Sequence, residues 1–355
     1  MNSQGKQTSS YNPSIEHLRF IFAVLVVFIH TYGRGVLPGE VMSDVGWVAG
    51  VQRLFSHTLP SVAVPGFFLI SGLLYFTNMR QWSWERYLQS LRRRVITLLL
   101  PFFVWNMMKL VSLCIPSFMH DGWEGILRVV DDFGGWRIFW DGNPDCSSPI
   151  LLATWFLRDL MVFCLLAPLI HFLVRRVSFT LFFMLMWCAF FDWWPTENVC
   201  NPLNLAFYVL GATFSIKGKD MFAFFSTYSK WSYLLAFFTF LLNVCYSSSV
   251  TVLVFLSFAI VALCNGVSYG KRFLNRTIPP LCTQATMFIY LGHSFLVLSG
   301  VTWILVRVIP FGGEAWVLIR YFLIPPITIA LLLFVFYFLR RDFSKVLYVL
   351  LGRRF

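Results

Sequence analysis

A few ionisable side chains sit inside apolar runs long enough to cross a membrane: Arg19, His30, Lys109, Arg158, Asp159, His171, His293 and Arg320. In hydrocarbon each is costly unless paired or hydrated, so each is a functional candidate. For Lys109, Arg320 and His171 an internal salt bridge or a snorkelling side chain is the alternative. Arg19 and His30 bound the stretch LRFIFAVLVVFIH. On a helix their separation amounts to three turns plus about 20°, with a rise of about 16.5 Å, so the two share one face. Centred near Leu25, they lie roughly 7 to 9 Å from the midplane, the arginine toward the cytoplasm and the histidine toward the exterior. Imidazole takes a proton from a hydroxyl near neutral pH, and guanidinium holds an anionic group in bidentate fashion. A base and an anion clamp on one face suggest group transfer. Two interfacial anchors, Arg19 inside and His30 outside, account for the same residues.

The elements that position them follow from composition. Of 355 residues, 58% are hydrophobic and 12% charged, against a charged share of about 25% in soluble domains. The chain reads as an all-α, polytopic membrane bundle. Apolar runs predict ten helices, at about 15–36, 57–77, 95–115, 151–173, 177–194, 199–216, 231–247, 250–267, 283–305 and 315–339. The start lacks the pattern of a cleaved signal, so the first run is expected to be a retained span. Three regions follow: an N-terminal tail at 1–14, a membrane domain at 15–339 and a basic tail at 340–355. The formal net charge of +12 is read as a topology signal rather than nucleic-acid binding, because Lys and Arg concentrate on the cytoplasmic side. With the N-terminus inside, the inner segments hold Arg92, Arg93 and Arg94 together with most other cations. The outer segments hold only Arg34, Arg53, Arg128, Arg137 and Arg307. Both termini are expected in the cytoplasm.

Two connections carry more than a turn. Asn78 to Arg94 mixes Trp82, Trp84, Tyr87, Leu88 and Leu91 with arginines, as an interfacial amphipathic helix would. Pro116 to Ile150 is acidic and Gly-rich and reads as a folded outer loop able to cover an acceptor site. The eight cysteines form no CxxC pair and no metal-ligand cluster, so no metal site is expected. Cys146 and Cys200 both fall outside and could form a disulfide. Arg158 and Asp159, being neighbours, point about 100° apart on a regular helix, so each is expected to find a partner on another helix, in a site-forming or a structural role. His293, beside Gly292, is a second polar group of the cavity or a packing residue. Ser71 and Gly72 are expected to allow close helix packing.

Several stretches resemble the type 3 integral membrane acyltransferases. Arg19, ten residues and His30, within EHLRFIFAVLVVFIHTYG, match that family's first-helix signature. VPGFFLISGLLYF (Val64 to Phe76) resembles its second-helix motif, and RYLQSLRRRVITLLLPFFVW (Arg86 to Trp105) its basic inner loop running into a Pro-containing helix. TWFLRDLMVFCLLAPLI (Thr154 to Ile170) and MFIYLGHSFLVL (Met287 to Leu298) are similar to its Trp-Phe-Leu and Tyr-Leu-x-His segments. The resemblance implies transfer of an acyl group, most often acetyl, from cytoplasmic acyl-CoA to a hydroxyl of an envelope glycan or glycolipid, in a bacterial inner membrane. It implies His30 and Arg19 as the essential pair, with His30 acting as general base or transient acyl carrier. Arg92, Arg93, Arg94 and Arg86 would meet the donor's phosphates. Many relatives continue into an extracytoplasmic hydrolase-like domain, whereas this sequence resembles the stand-alone branch. A transporter or flippase for lipid-linked sugars needs a similar polar path and is the rival reading. A membrane anchor for an envelope-building complex is a third.

Overall fold

The computed structural model describes residues 14–40, 46–77, 79–143, 148–194, 199–246, 248–274 and 277–353. These residues are helical almost throughout and contain no strand. In chain order the helices are α1 (Ser14–Ile29), α2 (Trp47–Thr77), α3 (Trp84–Asp132), α4 (Leu152–Leu165), α5 (Ala167–Val177), α6 (Phe179–Phe190), α7 (Pro202–Ile216), α8 (Met221–Thr227) and α9 (Ser229–Cys245). They continue with α10 (Ser249–Leu274), α11 (Pro280–Gln284), α12 (Thr286–Val308), α13 (Glu314–Asp342) and α14 (Ser344–Leu351). Helix occupies each of the ten apolar stretches. Among the described residues five helices, α2, α3, α10, α12 and α13, are long and apolar enough to cross a membrane, or six with α4 and α5 taken as one bent span.

Four local features depart from the sequence expectation. The stretch 151–173 is not one straight helix: α4 and α5 meet at 67°, because Pro168 in the first turn of α5 lacks the N–H that would continue the ladder. The basic connection from Asn78 to Arg94 does not form a helix separate from the next span. Capped by Ser83, whose hydroxyl accepts from the Arg86 amide, it runs through a π turn at Val95–Leu99 into the next span. The connection from Pro116 to Ile150 is helical in its first part, since α3 continues to Asp132 after reversing at Gly122, whose φ of 61° and ψ of −141° suit only glycine. The segment 340–355 is not a mere tail, because α14 buries Leu347, Leu350 and Leu351, and Trp105 donates to the Leu350 carbonyl at 2.9 Å.

Helices α2 and α7 pack backbone against backbone. A Cβ on Gly72 would stand 2.0 Å from the Tyr208 carbonyl oxygen, and one on Gly211 2.0 Å from that of Leu69. The two glycines let backbones touch, as small residues do between membrane helices, which bears out the expectation for Gly72. Gly211→Val must push the helices apart, because neither obstacle is a side chain that can rotate away. A loss of roughly 1 to 3 kcal/mol is expected, as for overpacked cores, read as a lowered thermal midpoint in detergent. Gly300→Ala, at a site with open space around it, should leave the midpoint unchanged or raise it.

Candidate functional site

Helix α1 delivers both halves of the Arg19–His30 pair to α12. Arg19 lies one turn beyond Glu16, with which it makes a 3.8 Å ion pair, and it lines a cavity of about 260 Å³ with Thr286, Met287 and Tyr290 of α12. His30 lies just past the end of α1, and its ring centroid stands 5.2 Å from that of His293, also on α12. The two residues therefore face the same neighbour, as the helical spacing requires.

His293 is fully buried and opens a π turn, His293–Val297, inside α12. Such one-turn departures from α geometry often mark functional positions. Its Nδ1 lies 3.1 Å from the Ile289 carbonyl. A carbonyl can only accept, so Nδ1 carries the hydrogen and the Nε2 of the neutral ring presents a lone pair. Among the described residues that Nε2 has no hydrogen-bond partner, and neither has the buried hydroxyl of the next residue, Ser294. Next to the His30 ring, His293 offers an unused proton acceptor.

On the other side, the Arg19 cavity adjoins a basic vestibule of about 890 Å³ lined by Arg80, Arg86, Arg93 and Arg94. Tyr75, Leu74, Arg94 and Thr97 border both spaces. Along α3, Arg86, Gln89, Ser90, Arg93, Arg94 and Thr97 recur at steps of three and four and so form one stripe. Arg92 falls off that stripe; it is exposed and does not line the vestibule. None of the four vestibule arginines makes an ion pair with a carboxylate among the described residues. Arg94 lies over the Tyr75 ring at 5.4 Å. The result is an open, electropositive mouth leading to Arg19, suited to a polyanion with an extended arm.

A model of one known family, described as an acyltransferase domain, matches residues 12–340, nearly the whole chain. The chain belongs to the type 3 acyltransferase family. No curated protein and no solved structure matches it. With its apolar helices, the acyltransferase is an integral membrane protein.

The remaining charges of the acyltransferase hold the frame. Arg158 and Asp159, each 1% exposed, pair with one another, Nε to Oδ1 at 3.0 Å, against the expectation that each would find its partner on another helix. The arginine side chain is long enough to fold back over its neighbour once both are sealed from water. The remaining donors and acceptors then reach the loops before α4 and before α7: Arg158 donates to the Trp140 carbonyl at 2.5 Å and lies over the Trp140 ring, while Asp159 accepts from the Cys200 amide at 3.2 Å. In the loop before α4, Arg137 grips Asp141 through two hydrogen bonds of 2.9 and 3.0 Å, which hold the Asp141 carboxyl below the ordinary carboxylate range. Arg320, fully buried, donates to the carbonyls of Gly35, Ile309 and Phe311 at 2.5 to 2.8 Å, so it ties the connection after α1 to the end of α12. His171 meets the Arg80 carbonyl at 3.3 Å.

Three groups in the site escaped the sequence reading. Arg353, beyond α14, lines the Arg19 cavity and donates to the Gln284 carbonyl; nothing in its sequence surroundings marks it. Arg34 donates from Nε to the His30 carbonyl at 2.8 Å and so caps the end of α1, a cation at a helix C-terminus. Phe67, Phe156 and Tyr290 lie inside the quoted motifs, but only the fold brings them together. Cys146 lies outside the described residues.

Proposed function

We propose that the protein transfers an acyl group, acetyl foremost, from acyl-CoA onto a hydroxyl of a cell-envelope glycan or glycolipid. The observation that carries this reading is the single line from basic vestibule to Arg19 to the His30–His293 pair. A CoA thioester has the complementary layout: phosphates at one end, a long neutral arm, and a reactive carbonyl at the tip. Arg80, Arg86, Arg93 and Arg94 would meet the phosphates, and Arg19 the arm. At the far end the His30 imidazole would take the proton of the acceptor hydroxyl as its oxygen bonds to the acyl carbon. The carbon–sulfur bond then breaks, and the departing thiolate takes that proton to leave as free CoA. His293, with a lone pair on Nε2, gives His30 a neighbour able to share the proton.

The reading places the vestibule and both termini in the cytoplasm, with about ten crossings of a bacterial inner membrane, and the acceptor on the outer side. The inward bias of Lys and Arg supports that orientation. The test is purified protein in detergent or vesicles, supplied with radiolabelled acetyl-CoA and an envelope glycolipid extract. Label should move to the acceptor, and Arg93→Ala with Arg94→Ala should raise KM for acetyl-CoA at least tenfold while leaving kcat within a few-fold, with a weaker salt dependence than the wild type. Saturable glycolipid movement without label transfer would overturn the proposal.

A further inference from the structure

The Arg19 cavity stops short of the histidines, and what closes it is a triangle of aromatic rings. Phe67 of α2, Phe156 of α4 and Tyr290 of α12 stand at mutual centroid distances of 5.7, 5.6 and 5.6 Å. All three border the cavity, whereas neither His30 nor His293 does. Tyr290 is also the ring next to His293, at 6.2 Å. Rings at such spacings are in van der Waals contact and leave no passage between them. Each is more than nine-tenths buried. The members come from three different helices, so a small shift of any one helix opens or shuts the gap.

We infer that this ring triangle is the filter for acyl-chain length, a step that rests on the acyl-CoA reading above. The tip of the donor enters from the vestibule with its acyl group leading, and the group must pass between or settle against the three rings before its carbonyl meets His30. A two-carbon group needs the smallest displacement. Every further methylene must push a ring out of packing supplied by its neighbours. Phe67 also abuts Phe22 at 5.5 Å, and Phe156 abuts Phe68 at 4.7 Å, so the rings have little room to retreat. Hydrophobic pockets separate ligands that differ by one methylene by factors of about 10 to 200, and a shut filter works at the upper end of that range.

The first measurement uses the native protein with acetyl-, propionyl-, butyryl- and hexanoyl-CoA and one acceptor extract. The kcat/KM value should fall at least tenfold from acetyl to butyryl. The second uses Phe67→Ala and Phe156→Leu, which should each raise the butyryl-to-acetyl ratio at least tenfold; Tyr290→Phe, which keeps the ring, should leave that ratio at its wild-type value. A wild-type enzyme indifferent to chain length overturns the filter whether or not the variants fold. Active variants with an unchanged ratio overturn it too. Failure of the wild type to use any CoA thioester would instead overturn the parent reading, so the two failures are distinct.

Discussion

Replacing His30 with Gln should lower the kcat/KM of acyl transfer by 10²- to 10⁴-fold, the range a positioned general base contributes, with a thermal midpoint close to that of the wild type. Both halves of the expectation come from the same geometry. His30 is only half-buried and lies beyond the last turn of α1, so its side chain holds no helix together. The neighbouring contacts that close the helix belong to other atoms: the Thr31 hydroxyl donates to the Val27 carbonyl at 2.8 Å, and Arg34 binds the His30 carbonyl rather than its ring. Glutamine keeps hydrogen-bonding capacity at similar size but cannot take a proton near neutral pH. Parallel assays of labelled acetyl transfer and thermal unfolding of the purified variant decide the matter. A variant that transfers at the wild-type rate removes His30 from the chemistry and returns it to the role of an interfacial anchor.

His293 separates two versions of that chemistry. If His30 passes its proton to the Nε2 beside it, loss of the second imidazole slows turnover while KM for the donor holds. If His293 only packs against the His30 and Tyr290 rings, its loss shows in the thermal midpoint. The buried, unshared Nε2 favours the first version, because burying such a group without a partner costs about 1 to 3 kcal/mol that a plain packing residue would not.

Local periodicity made part of this site readable beforehand. Arg19 and His30 share a face because a helix fixes the angle between positions on one element, and the stripe of Arg86, Arg93 and Arg94 follows from the same rule. The stripe also explains why Arg92, indistinguishable from its neighbours in composition, misses the vestibule. Helix placement was legible for a similar reason, since apolar runs have no other way to satisfy their backbone in hydrocarbon. What escaped was non-local or too fine for averaging. Phe67, Phe156 and Tyr290 come from three distant segments, and no spacing within one helix announces their meeting. The bend between α4 and α5 hides in a hydropathy window because Pro168 is surrounded by apolar residues. The reversal at Gly122 is invisible to composition, since acidic and glycine residues mark loops, although the chain after it resumes a helix. The mutual pairing of Arg158 with Asp159 is hidden for another reason: neighbouring Cα–Cβ directions point about 100° apart on a helix, yet the arginine side chain is long enough to reach back over Asp159.

That last pair carries the second large effect. Arg158→Met should destabilise the protein by about 3 to 5 kcal/mol, the usual result of removing one partner of a buried ion pair. The Asp159 carboxylate would then remain 1% exposed with the Cys200 amide still donating to it, while the Trp140 carbonyl would lose its donor. The double change Arg158→Met with Asp159→Leu removes the stranded charge as well, so it should recover a substantial part of the loss, because a buried pair is often no more stabilising than apolar residues of similar size. Thermal midpoints of the two variants in the same detergent give the comparison, and the single variant must be the less stable. The reverse order would mean that the pair acts mainly by holding Trp140 and Cys200, in which case removing both charges costs more than removing one. Either way the pair is the tie between the start of α4 and the loops that carry Trp140 and Cys200. Because α4 also supplies Phe156, slackness there should reach the ring triangle before it reaches His30.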